Sequence, residues 1–290
     1  MKRTMMGLGI AMAVGILLIG GALALAQTPA TQQPSTPAQT DKDKTTAPIT
    51  TQSLTLDAGP PPVSAEEDAA MKVFRDAPIT DIAKKNQLGE DFVQKYPESR
   101  YRVEVYSWLV KGYLGVGQVD KMEAAGDKEL AIEPNDATTL AILGSTLPRA
   151  INSSTPEPMK RLEKAEQFSK RALDLIPGLP KPANLTDEQF VNAKNQTTAM
   201  AYSGLGLVAF RRGKYADAIT DLEQSVKLDP NPDSVNYFLL GKANEKASHF
   251  DDAIAAFTKC AGMPGGMQDP CKSGVEEAKK LSTTQLSTPK

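Results

Sequence analysis

Two cysteines, Cys260 and Cys271, are the residues of this chain best suited to covalent chemistry. They can bridge in an oxidising compartment or persist as two free buried thiols, and they lack the spacing and neighbours of a zinc or haem site. His249 is the only histidine, which rules out a serine triad and a multi-histidine metal centre. Asp251-Asp252 has the form of a paired-carboxylate acid/base, yet both stand where a helix begins, and negative charge there complements the helix dipole. Gly204-Leu205-Gly206-Leu207-Val208-Ala209 matches a dinucleotide fingerprint in letters only. It lies within a helical pattern, with no strand before it to form the phosphate-cradling turn. Asn152-Ser153-Ser154, Asn184-Leu185-Thr186 and Asn195-Gln196-Thr197 are glycosylation acceptors that matter only in a eukaryotic secretory route. These residues imply no catalytic, metal or cofactor site, so the chain is read as a non-enzyme.

The elements that carry these residues repeat. Tyr202, Leu205, Gly206, Tyr215, Ala218, Leu222 and Ser225 recur 35 residues later as Tyr237, Leu240, Gly241, Phe250, Ala253, Phe257 and Cys260, while Pro230 is answered by Pro264. A fixed period of this size means stacked units. Within one copy, Tyr202, Leu205, Gly206 and Ala209 share a helical face, as do Tyr215, Ala218, Ile219, Leu222 and Ser225. Gly206 and Ala218 are the small members that let the two helices approach. The turn falls at Arg211–Gly213, and Asp229–Pro230–Asn231–Pro232 ends the unit because proline lacks the amide donor and clashes with the preceding turn.

This pattern resembles the tetratricopeptide repeat, and the resemblance implies an all-α solenoid of helix-turn-helix units. Tyr106, Leu109, Tyr113, Leu130, Ile132 and Pro134 fit a unit at 103–136, with Met122 and Gly126 departing from the pattern. Leu140, Leu143 and Gly144 pair with Ala165, Ala172, Leu175 and Pro177 in a unit at 137–182, with about seven extra residues around Asn152–Pro158 in its turn. Units at 183–233 and 234–264 carry the strongest match, and a degenerate unit at 64–102 precedes them. A capping helix over 269–281 closes the array at 64–281, with Val275, Ala278 and Leu281 as its apolar stripe. It brings Cys271 toward Cys260, where a disulfide is expected in preference to two free thiols. Thr186-Asp187-Glu188-Gln189 has capping-box spacing and predicts a long helix from Asp187 to Arg211 that protrudes beyond its neighbours.

Lys2 and Arg3 precede an uncharged stretch that closes on Ala24-Leu25-Ala26, so residues 1–26 read as an export signal, cleaved or retained as an anchor. Either fate sends the rest of the chain across a membrane, to the bacterial periplasm or the outer face of the inner membrane, with residues 5–26 available as a tether. Residues 27–63, rich in Thr, Pro, Gln and Ser, form a disordered linker, and residues 282–290 a disordered tail. A net charge of -2 with interspersed signs gives no basic field for nucleic acid.

The resemblance places a groove along the first helices of the units, with Ser107, Lys111, Ala141, Ser145, Ser203, Leu207, Phe238 and Lys242 at its outward positions. Some members of the family grip a peptide's terminal carboxylate with Lys and Asn at two such places, where this chain has Ser203 and Leu207, so that clamp is not expected. The expected role is an exported scaffold that binds an envelope protein or an extended peptide. The alternative is a membrane-tethered, self-associating spacer in which the long helix matters more than the groove.

Overall fold

The computed structural model describes residues 63–286, so the leader, the linker up to residue 62 and the last four residues of the tail lie outside the described residues. The described chain is helical, in antiparallel pairs that follow one another along the stack. α1 (Ala65–Asp76) pairs with α2 (Ile82–Lys95), α3 (Arg102–Gly115) with α4 (Val119–Ile132), and α5 (Ala137–Thr146) with α6 (Pro158–Leu175). A 3-10 turn at Ile176–Gly178 leads to α7 (Asp187–Arg211), which pairs with α8 (Tyr215–Leu228). Then come α9 (Ser234–Lys246), α10 (Phe250–Ala261) and α11 (Gln268–Leu286). Among the described residues no helix is long and apolar enough to cross a membrane.

Three of the turns inside pairs are built alike. After α3 the Gln118 amide donates to Tyr113 O and the Gly117 amide to Leu114 O. Lys214 and Gly213 repeat the two bonds to Ala209 O and Phe210 O after α7, and His249 and Ser248 repeat them to Asn244 O and Glu245 O after α9. Such a terminus satisfies the last helical carbonyls but forces one residue into the left-handed region. Gly117 (φ 71°) and Gly213 (φ 74°) adopt it freely; Ser248 (φ 63°) does so against its Cβ.

α1, whose pattern is the loosest in the sequence, is docked. Met71 and Phe74 are buried, and Arg75 makes a two-pronged ion pair with Glu104 at the start of α3 (2.9 and 2.6 Å). Lys85 is the buried hinge of this contact. Its ammonium donates to Arg75 O (3.2 Å) and Ala77 O (2.9 Å) at the end of α1 and lies over the Trp108 ring, and burial pushes its pKa down. A cation at a helix C-terminus meets both the orphaned carbonyls and the negative end of the dipole.

Small residues set the spacing in the middle of the stack. A Cβ on Gly204 of α7 would lie 2.6 Å from the carbonyl oxygen of Gly144 in α5 and 2.5 Å from Ser169 Oγ in α6, so three helices meet there backbone against backbone. Further on, Gly206 faces Leu222 and Gly241 faces Phe257, the approach read from the 35-residue repeat. At the C-terminal end, Gly274 of α11 packs on Phe257, and Cys260 and Cys271, both fully buried, are joined in a disulfide.

α11 runs past the expected end at 281 because polarity does not stop a helix. No proline or glycine follows Gly274 before Leu286, and Thr283 and Thr284 turn their hydroxyls back onto the Lys279 and Lys280 carbonyls. α7 has the predicted bounds. Thr186 Oγ1 accepts from the Gln189 amide (3.2 Å) and Gln189 Oε1 accepts from the Thr186 amide (3.0 Å), which completes the capping box.

The strained turn yields a prediction. Ser248→Gly should raise stability by about 0.5–1 kcal/mol, because relief of the left-handed strain outweighs the entropy that glycine loses on folding. Gly213→Ala should lower it by about 1 kcal/mol. Urea denaturation followed by circular dichroism checks both.

Candidate partner-binding surface

The eight residues expected along the first-helix groove meet different fates. Ala141, Ser145, Ser203 and Leu207 are buried and offer nothing to a partner. The expectation is corrected here for a physical reason: the glycine contact of α5 with α7 draws the first helices so close that these positions become interior. Phe238 and Lys242 are half exposed and are engaged by α10 and α11. Phe238 packs tilted on Phe257 at a centroid distance of 5.8 Å, and the Lys242 ammonium is held by Glu245 (3.0 Å) and by Glu277 of α11 (2.8 Å). Ser107 and Lys111 are likewise half exposed and lie close to each other, with Lys111 Nζ donating to Ser107 Oγ at 3.3 Å.

A residue absent from that reading fills the middle of the face. Arg149, in the turn after the short α5, reaches past α7 to the start of α9. Its Nη1 donates to Asp233 Oδ2 (2.8 Å), and its Nη2 donates to Ser203 Oγ (2.9 Å) and to Asn236 Oδ1 (2.8 Å). Ser203 Oγ also donates to Asn236 Oδ1, Asn236 Nδ2 donates to Ser225 Oγ, and Ser225 Oγ to Ala199 O. One guanidinium thus ties α5, α7, α8 and α9 together through a mostly buried chain of hydrogen bonds, the setting in which its fork of donors has most effect.

Residues 199–232, which include the end of α7 and all of α8, match the tetratricopeptide repeat. The described fold is an α-solenoid of helix-turn-helix pairs. Comparison by sequence with curated proteins gives no match. Solved structures that it resembles include PilW, a widely conserved type IV pilus biogenesis factor (14% identity, 78% of this chain and 96% of that one, TM-score 0.46). A thermophilic tetratricopeptide-repeat protein of Thermus thermophilus aligns at 17% identity over 76% of this chain and 99% of its own (TM-score 0.44). The MamA protein aligns at 20% identity over 65% and 88% (TM-score 0.42).

Two stretches of the described surface are the candidate contacts. One is the Ser107–Lys111 patch on α3. The other is the first three turns of α7, Asp187–Thr198, where no residue is buried and Val191 is 52% exposed. The overhang is braced by Lys194, which donates to Pro177 O (3.0 Å) and covers Phe190 with its ammonium (5.5 Å). On the second-helix side the charges neutralise one another. Arg161 and Lys164 of α6 grip Glu123 of α4 (2.7 and 2.8 Å), with Asp120 and Asp127 at the flanks, around a shallow hollow of about 320 Å³ that Pro156, Glu157 and Lys160 complete.

Beneath the Ser107–Lys111 patch sits Glu129 of α4, fully buried. Its Oε2 accepts from Thr139 Oγ1 (2.8 Å), whereas its Oε1 has no hydrogen-bond partner. Burial, and then the nearby Asp136 carboxylate, push its pKa up to about 7 against the pull of Thr139, Lys111 and Ser107.

Arg149→Ala should lower stability by about 2 kcal/mol, since three hydrogen bonds to charged or buried groups are lost at once. Combined with Asp233→Asn, the loss should fall short of the sum of the two single changes, because both act on one network. Urea denaturation of the four proteins of the cycle measures this.

Proposed function

We propose that this chain is a non-enzymatic exported scaffold whose partner is another protein or an extended peptide of the cell envelope. The observation that carries the reading is the overhang of α7. A helix that is capped, braced and extended through three turns, with Val191 and its exposed neighbours facing outward, offers a contact surface at its start. Repeat arrays of this family generally act by binding proteins or peptides. The partner therefore meets the overhang and the Ser107–Lys111 patch, and the closed middle of the groove serves as framework. The leader read from residues 1–26 supports export, and the Cys260–Cys271 bridge supports an oxidising compartment such as the periplasm.

The second reading, a membrane-tethered spacer that associates with itself, is favoured by the same overhang if its occupant is another copy of the chain.

Photo-crosslinking in intact bacteria, with the reactive residue placed at Val191 or Ser107 of the full chain, separates the two. The expected result is one crosslinked envelope protein, recovered from both positions and lost with Lys111→Glu. Crosslinks only to the chain itself, with an uncleaved N-terminus by mass spectrometry, would establish the spacer. Peptide mapping of the same material without reductant should recover Cys260 and Cys271 in one linked peptide pair. Cys271→Ser should lower stability by about 2–3 kcal/mol, as expected for opening a short loop. Free thiols in the mature protein would argue against an oxidising compartment.

A further inference from the structure

Among the junctions between successive helix pairs, the one between α4 and α5 is the thinnest. α2 and α3, α6 and α7, α8 and α9, and α10 and α11 all lie along one another more extensively. At this thin place sits Glu129, without solvent exposure, with one oxygen bonded across the junction to Thr139 and the other orphaned. From α5 it is faced by the Thr139 hydroxyl and by Asp136, whose carboxylate caps α5 by accepting from the Thr139 amide (2.6 Å). From α3 it is faced by the Lys111 ammonium and the Ser107 hydroxyl, which are bonded to each other.

Glu129 thus faces a second acid across the seam, with one half-buried ammonium nearby. A neutral Glu129 can remain in this site at the cost of one poorly paired polar atom. An ionised Glu129 places a buried charge next to a second carboxylate, with the Ser107 and Thr139 hydroxyls and one half-buried ammonium to offset it, and that arrangement is more costly. The least disruptive relief is to admit water where the packing is thinnest, by parting α5 from α4.

We propose that Glu129 makes the α4–α5 junction a pH-controlled hinge, closed while this carboxyl is neutral and opening when it ionises. The direction follows from proton linkage. The folded carboxyl holds its proton up to about 7, against an ordinary 4.5, so the closed junction has its full stability below about 4.5 and loses it as the pH rises through about 7. The ion pairs of Arg161 and Lys164 with Glu123 join α6 to α4 on the other side and form the pivot. Opening therefore changes the spacing between the Ser107–Lys111 patch and everything from α5 onward.

Amide hydrogen exchange on the full chain from pH 5 to 8, corrected for intrinsic rates, tests the hinge. Protection of the α5 amides should fall by roughly a hundredfold across this range, the amount set by the displacement of the carboxyl's titration. Amides of α9 and α10 should not follow, and Glu129→Gln should abolish the change. Protection that is independent of pH in the native chain, or a pH dependence that persists in Glu129→Gln, overturns the proposal. Should that variant fail to fold, carbon-13 NMR titration of the Glu129 carboxyl in the native chain decides the matter. A carboxyl midpoint near 7 matched by the midpoint of the fall in α5 protection upholds the hinge, and a midpoint near 4.5, or α5 protection that does not follow the carboxyl, overturns it.

Discussion

The contact of Gly144, Ser169 and Gly204 sets the geometry on which the rest of the array depends. A side chain larger than hydrogen at Gly204 would meet a carbonyl oxygen and a hydroxyl at less than van der Waals distance, so α7 can lie against α5 and α6 only because those side chains are missing. That approach buries Ala141, Ser145, Ser203 and Leu207. It also brings the turn after α5 within one arginine's length of α9, so that Arg149 can bond to Asp233 and Asn236. The closed face is therefore a consequence of a backbone contact, and the arginine network consolidates it.

Much of this was legible in the sequence because it is local or periodic. Positions 35 apart identified the inward faces of the last two pairs, and the Thr186–Gln189 spacing gave the start of α7, since a capping box involves only neighbouring residues. Register likewise placed Cys260 and Cys271 side by side. The groove positions were misread because outward from one helix pair is not outward from the stack, and only long-range contacts tell the two apart. Arg149 gave no local signal, lying in a turn whose partners are more than fifty residues away. Glu129 did leave one: counting back 96 residues from Ser225 lands on it, so it occupies the small, inward place filled elsewhere by Ser225 and Cys260. A glutamate in that place has to be buried.

The third pair departs from the repeat pattern in a way that matters for packing. Gly144 and Ser169 are both small where the later pairs set a glycine against Leu222 or Phe257, and α5 is shorter than the first helices on either side of it. That pair is thus the one that draws the stack together and supplies the arginine. Its neighbour on the N-terminal side is joined less extensively, through the seam that contains Glu129. One apolar core nonetheless crosses that seam, with Met122 and Ala125 of α4 in the same cluster as Ile142 and Leu143 of α5.

The disulfide gives this array a direction. Units of a repeat stack come undone most easily from an end, where only one neighbour holds them. Cys260 and Cys271 tie α10 to α11 covalently, so the C-terminal end cannot peel away one helix at a time. The N-terminal end is held by Met71 and Phe74 in the core, a buried lysine and surface ion pairs, with no covalent tie. It is therefore the end expected to open first. A processive protease or unfoldase that takes hold of the chain at its N-terminus will advance helix by helix, whereas one that starts from the C-terminus meets a closed loop first.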